Sequence, residues 1–224
     1  HEVLARMENP EGAGVLPAGD FVPVAQRYGL EHCLDRGVMR AIARDRDAGM
    51  LPAGRLFINL SPRNLEAEAD LRAILEALEL EEEADNRQLV FEVTEREALA
   101  RQERLAPQLA LLKAYGVALA LDDFGSGYSN FQNLLRLPIS YLKIDGALVR
   151  SMDEGPGHRA LVESIAGLGR ALGMVTLAEF VESEKLLDHL AELGVDLAQG
   201  YHLGRPRAPE SVVSGRASAP ARGG

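Results

Sequence analysis

The sequence is short of cysteine, of positive charge and of long apolar runs. Its one cysteine, Cys33, cannot close an internal disulfide. With no secretory signal at the N-terminus, this fits a reducing cytoplasm, and the residue itself reads as a small buried apolar side chain. No uninterrupted apolar stretch approaches the ~18 residues that a membrane-crossing helix needs, so any membrane anchor is left to a missing region. Lys and Arg number 24 against 34 Asp and Glu, a formal net charge of -10. That balance excludes broad electrostatic binding to DNA or RNA polymers, which needs a basic face. The histidines His1, His32, His158, His189 and His202 show no metal-ligand spacing, and no Cys/His cluster exists, which excludes a zinc motif. A phosphate-bearing ligand would need Arg and Lys at one place, or cations gathered by carboxylates.

The 224 residues are close to the length of one (β/α)₈ barrel. The segment from His1 to Met7 reads as a strand. The chain therefore opens without lead-in, and an upstream segment is expected. Pro10, Gly12, Gly14, Pro17 and Gly19 mark a loop, with Asp20 placed to cap a helix from about Phe21. Apolar runs at 56–60, 89–93, 117–121, 141–144 and 174–178 then alternate with amphipathic helical patterns, and a last pair of short strands is read near Leu197 and Tyr201. Continuous apolar strands alternating with such helices indicate a parallel sheet covered on both faces. About seven units favour a closed barrel, although periodicity alone leaves an open sheet available. One domain spanning 1–206 is expected. The tail 207–224, rich in Pro, Ala, Gly, Ser and Arg, reads as disordered.

Polar groups fall where strands end. Asn59, Glu92, Asp122, Asp123, Lys143, Glu179 and Gln199 all sit within or at the C-terminal end of an expected strand. In a barrel those ends converge on one face, where barrel enzymes build their sites. A single acidic residue after a strand is more often a helix cap or a solvated charge. Repetition on successive strands changes the weighting, because converging carboxylates repel one another, and divalent cations are the simplest resolution. An all-oxygen set suits Mg²⁺ or Mn²⁺. The run Asp122-Asp123-Phe124-Gly125-Ser126-Gly127-Tyr128-Ser129 adds a glycine turn directly after two candidate ligands.

The motifs Glu2-Val3-Leu4, Asn59-Leu60-Ser61, Glu92-Val93-Thr94-Glu95, Asp122-Asp123-Phe124-Gly125-Ser126-Gly127-Tyr128-Ser129, Lys143-Ile144-Asp145, Glu179-Phe180-Val181-Glu182 and Gln199-Gly200-Tyr201 stand in this order. Their order and content resemble the EAL-domain phosphodiesterases, from Glu2 to Pro206, with Val3 in place of the signature alanine. The resemblance implies a TIM-like (β/α)₈ barrel with an irregular first strand, and hydrolysis of cyclic-di-GMP to linear pGpG with two Mg²⁺ or Mn²⁺ ions. By analogy Glu2, Asn59, Glu92 and Asp122 hold one ion, and Asp122 bridges to a second held with Asp123 and Glu179. Lys143 positions the attacking water, Glu179 serves as base and Gln199 supports the site. Leu4 and Arg6 match ligand contacts, and Glu95 matches the residue anchoring the loop after Asp123. A homodimer and upstream sensory or GGDEF-type domains are further implications, and a receptor that binds cyclic-di-GMP without cleaving it is the alternative. Phe180 replaces the usual glycine. It is expected to press on the loop beside Glu179, so that Phe180→Gly raises the rate or leaves it unchanged.

Overall fold

The computed structural model describes residues 1–9, 12, 14–84, 86, 88–95, 102–126, 134–135, 137–209 and 212. Seven parallel strands form one curled sheet: β1 Glu2–Val3, β4 Leu56–Asn59, β5 Leu89–Thr94, β6 Ala118–Phe124, β7 Tyr141–Ile144, β8 Val175–Ala178 and β9 Leu197–Ala198, adjacent in that order. Sequential parallel neighbours, with helices at most of the described crossovers, make the α/β barrel architecture. Its crossover helices include α1 Ala18–Tyr28, α2 Glu31–Asp47, α3 Pro62–Glu66, α4 Glu68–Ala77, α5 Gln102–Ala114, α6 Gly146–Ser151, α7 Pro156–Leu172 and α8 Glu184–Glu192. None of the described helices is long and apolar enough to cross a membrane.

The first strand is broken. Only Glu2 and Val3 pair with β4, and the chain then leaves the sheet. Arg6–Glu8 (β2) and Val15–Pro17 (β3) form a separate antiparallel ribbon, so part of the expected loop is strand. Pro17 stands at the N-cap position and the helix begins at Ala18, which puts Asp20 inside the first turn. A carboxylate there still faces the positive end of the helix dipole, although it is not the cap. At the other end of the sheet β9 stops at Ala198, and Tyr201 lies in a turn. Cys33 is exposed, on a face of α2 away from its buried stripe of Met39, Ile42 and Ala43. Gly127, Tyr128 and Ser129 lie outside the described residues, as does most of the tail.

Two apolar layers hold the fold. The larger packs helices on the outside of the sheet, through residues such as Met39, Leu71, Ile74, Phe91, Leu112, Leu142 and Val162. The smaller is Phe57, Val90, Ala120, Tyr141 and Leu177, one residue from each of five neighbouring strands. Side chains alternate faces along a strand. Two residues beyond each member of the smaller layer, on the same face, stand Asn59, Glu92, Asp122, Lys143 and Glu179. The strand period thus lays an apolar floor and sets a polar ring on top of it.

Gly200 has no room for a side chain, since a Cβ would lie 2.2 Å from both the N and the O of Val181. Gly200→Ala is expected to destabilise the fold by about 1–3 kcal/mol through this overpacking. Gly167→Ala, in α7 with nothing within 4 Å of the added Cβ, is expected to gain roughly 0.5–1 kcal/mol from helix propensity. Thermal denaturation of the two variants checks the contrast, and equal melting temperatures would contradict it.

Candidate metal centre

The Lys143 ammonium stands at the focus of the ring. Its Nζ lies 2.5 Å from Glu92 Oε1, 2.8 Å from Glu179 Oε1 and 3.0 Å from Asp122 Oδ1. Both Lys143 and Glu92 are 1% exposed. On the far side, Asn59 Nδ2 donates to Glu2 Oε1 at 3.3 Å, and Gln199 Nε2 donates to Glu2 Oε2. That last bond ties the segment after β9 to β1, the two ends of the sheet order, across the mouth.

A local irregularity brings Asp123 into the group. Leu121 pairs with Leu142 and Phe124 with Ile144, so β6 carries one residue more than β7 over this stretch. Such a bulge re-aims side chains that strict alternation would send to opposite faces. Asp123 takes a left-handed backbone, φ 54°, and its N–H donates to Asp122 Oδ1 at 3.0 Å. One carboxylate oxygen each from Asp122, Asp123 and Glu179 then lie within 4.8 Å of one another.

The charges do not balance. Glu2, Glu92, Asp122, Asp123 and Glu179 face one ammonium, an excess of four negative charges when all are ionised, equal to the charge of two divalent cations. Burial pushes the Glu92 carboxyl up to about 8, with Lys143 pulling against it and Glu2 and Asp122 adding repulsion. Glu179 is pushed up to about 7 by burial, again opposed by Lys143 and reinforced by Asp122. For Lys143 burial acts downward, but the surrounding carboxylates outweigh it and hold the ammonium above the usual lysine range. Among the described residues Glu92 Oε2 has no hydrogen-bond partner. A buried orphan oxygen among all-oxygen donors fits a hard divalent cation.

The remaining expected residues are placed differently. Glu95 is buried and its Oε2 accepts from the Gly125 N–H at 3.1 Å, anchoring the turn after Asp123. Leu4 is 41% exposed just beyond β1. Arg6 is exposed on the ribbon, with Nη1 donating to the Ala5 carbonyl at 2.8 Å. The Phe180 ring lies against Gly146 and under the Arg150 guanidinium.

One supporting network carries no local sequence signal. Asp35 on α2 accepts from the Ser61 N–H at 2.8 Å and from Asn64 Nδ2 at 2.6 Å. This pins the turn that follows Asn59. Burial raises the Asp35 pKa, with the bonds from Ser61 and Asn64 opposing. The partners lie 26 and 29 residues away, beyond any motif spacing.

The sequence model of the EAL domain family matches residues 1–206. The chain is 34% identical over 208 residues to the cyclic di-GMP phosphodiesterase PdeB of Shewanella oneidensis, covering 92% of this chain and 24% of that protein. It is 34% identical over 211 residues to the cyclic di-GMP phosphodiesterase PdeF of Escherichia coli, covering 92% and 28%. The chain therefore spans about a quarter of the length of these curated relatives. The phosphodiesterase PaMucR, solved in complex with c-di-GMP, superposes with a TM-score of 0.83 at 31% identity, over 94% of this chain and 86% of that one. The FimX EAL domain of Pseudomonas aeruginosa bound to c-di-GMP gives a TM-score of 0.79 at 26% identity, over 93% and 84%.

Glu92 and Glu179 hold protons more tightly folded than unfolded. Without cations, their contribution to stability is full below the unfolded glutamate pKa and is lost as pH rises through about 7 and about 8. In chelator the melting temperature is expected to fall between about pH 5 and about pH 8. Saturating Mg²⁺ should reverse that trend, because a cation binds the ionised form. A melting temperature in chelator that climbs steadily over the same range would contradict the charge imbalance described here.

Proposed function

The chain belongs to the EAL domain family, and from that premise we propose that it is a phosphodiesterase that uses two divalent cations to hydrolyse cyclic-di-GMP to linear pGpG. The observation that carries this reading is the intact carboxylate ring with an orphan buried oxygen on Glu92. Glu2, Asn59, Glu92 and Asp122 would hold one ion, and Asp122, Asp123 and Glu179 the other. When bound, Mg²⁺ or Mn²⁺ supplies the positive charge that activates water and stabilises a leaving oxygen in phosphoryl displacement.

The chain's own residues supply the rest. The Glu179 carboxylate, held ionised by a bound cation, can accept a proton from water. Lys143, kept protonated by its neighbours, donates hydrogen bonds at the focus of the ring and orients water there. Hydrolysis adds water across one phosphodiester: the oxygen joins phosphorus and a proton reaches the departing sugar oxygen. Gln199 holds Glu2 in place. Leu4 and Arg6, at the rim beyond β1, would meet the ligand, Arg6 through a phosphate, by charge-assisted hydrogen bonds. A homodimer, upstream sensory or GGDEF-type domains and a cytoplasmic location complete the proposal. The relative MucR of Pseudomonas aeruginosa, a bifunctional diguanylate cyclase and cyclic di-GMP phosphodiesterase, supports such a domain arrangement.

Incubation of the purified domain with cyclic-di-GMP and each cation, followed by chromatography, tests the proposal. Mg²⁺ and Mn²⁺ should give linear product. Ca²⁺ should support binding with little turnover, because its bonds at ~2.4 Å rather than ~2.1 Å and its irregular coordination displace the reacting groups. Equal turnover in Ca²⁺, or full activity in excess chelator, would overturn the two-cation reading, and ligand bound without product would establish the receptor alternative.

Arg6→Ala is expected to weaken cyclic-di-GMP binding by about tenfold while the melting temperature stays put, since a charge-assisted hydrogen bond is lost from an exposed residue. Calorimetry with cyclic-di-GMP checks it, and unchanged affinity removes Arg6 from the site. Asp122→Asn is expected to abolish turnover with the fold intact, because a residue shared by two cations needs a negative oxygen.

A further inference from the structure

Phe180 follows Glu179 directly and takes a left-handed backbone, φ 54°, a conformation that residues with a Cβ rarely adopt. Something must hold it there. Its ring rests on Gly146, so closely that a Cβ on that glycine would lie 2.1 Å from Cδ2 and 2.8 Å from Cγ. The Arg150 guanidinium carbon stands 4.5 Å from the ring centroid, within cation–π range. Gly146 and Arg150 are four residues apart on α6 and so share one face of that helix. The helix is rooted directly after β7, where Asp145 caps it by accepting from the Ala147 N–H at 2.7 Å.

The ring therefore reaches from the end of the strand that carries Glu179 to the helix that leaves the strand carrying Lys143. We infer that Phe180 is a positioning residue: clasped between Gly146 and Arg150, it fixes the backbone that presents Glu179, and so the 2.8 Å approach of Glu179 to Lys143. Phe180 is 52% exposed, so the clasp sits at the barrel rim. It contributes position to the site without touching the reacting atoms. The inference reverses the expectation from sequence, in which a bulky residue beside Glu179 only hinders. It rests on the reading that Glu179 belongs to a cation site.

The test compares Phe180→Gly, Arg150→Ala, Gly146→Ala and Phe180→Tyr with the wild type, by calorimetry with Mn²⁺, by turnover of cyclic-di-GMP and by amide exchange at residues 179–182. The first three break the clasp in independent ways. Each should weaken Mn²⁺ binding about tenfold, as loss of an outer contact to a ligand does. Each should also lower kcat while KM stays within about threefold, the pattern of lost positioning and not of lost substrate contact. Phe180→Tyr keeps the ring and should behave as wild type. Phe180→Gly combined with Arg150→Ala should be no worse than Phe180→Gly alone, because ring and guanidinium act as one unit. Wild-type Mn²⁺ affinity in Phe180→Gly, or a loss confined to KM, overturns the inference. If the wild type shows no turnover with any cation, the proposed function falls separately. Amide exchange then decides the clasp: about tenfold faster exchange at 179–182 in Phe180→Gly upholds it, and unchanged exchange overturns it.

Discussion

A single buried ammonium among five carboxylates is the constraint around which this barrel is arranged. Lys143 touches three acidic side chains from three other strands, and no chain could bring those strands together without something to offset the repulsion. One lysine offsets part of it. Burial, with repulsion from Asp122 and Glu2 added to it, holds the Glu92 and Glu179 carboxyls above their ordinary range, and the acidic cluster of Asp122, Asp123 and Glu179 could bind a metal ion. Everything close to the ring serves to hold its members still. The apolar floor of Phe57, Val90, Ala120, Tyr141 and Leu177 supports it from below, Glu95 anchors the turn after Asp123, and Asp35 pins the turn after Asn59.

Much of this was legible in the sequence because a strand has a period of two and a barrel collects strand ends on one face. Asn59, Glu92, Asp122, Lys143 and Glu179 could be recognised as one ring from their place after apolar runs, and the order of motifs named the family. Local chain geometry was less accessible. The bulge that brings the Asp122 and Asp123 carboxylates together is accompanied by a left-handed Asp123, and the modest tolerance of Asp for that conformation is too weak a signal to place it from sequence. The residues from His1 to Met7 read as one strand, and only the family resemblance implied that it is irregular; Glu2 and Val3 alone stay in the sheet, while Arg6–Glu8 pair with Val15–Pro17 in a hairpin hidden among glycines and prolines. Cys33 read as buried on general cysteine behaviour and is exposed, since the apolar stripe of α2 runs elsewhere. The bonds from Gln199 to Glu2 and from Ser61 to Asp35 join residues far apart in the chain and emerge only once the strands are in place.

Phe180, which departs from the family pattern, has contacts that the sequence does not reveal. Beside a ligand, a large side chain in place of glycine suggests obstruction. In the fold its ring finds a glycine to lie on and a guanidinium to lie under, so the substitution exchanges backbone freedom for a fixed contact. The two relatives named above at 34% identity are about four times longer than the stretch they share with this chain, which leaves room in such proteins for segments that act on the barrel from outside.

The central claim, that the carboxylate ring is completed by two divalent cations, is tested most directly by calorimetric titration of the chelator-treated domain with Mn²⁺. Two ions bound per chain, with binding lost in Asp122→Asn, is the predicted result. Absence of Mn²⁺ binding, or binding unaffected by Asp122→Asn, would contradict the account.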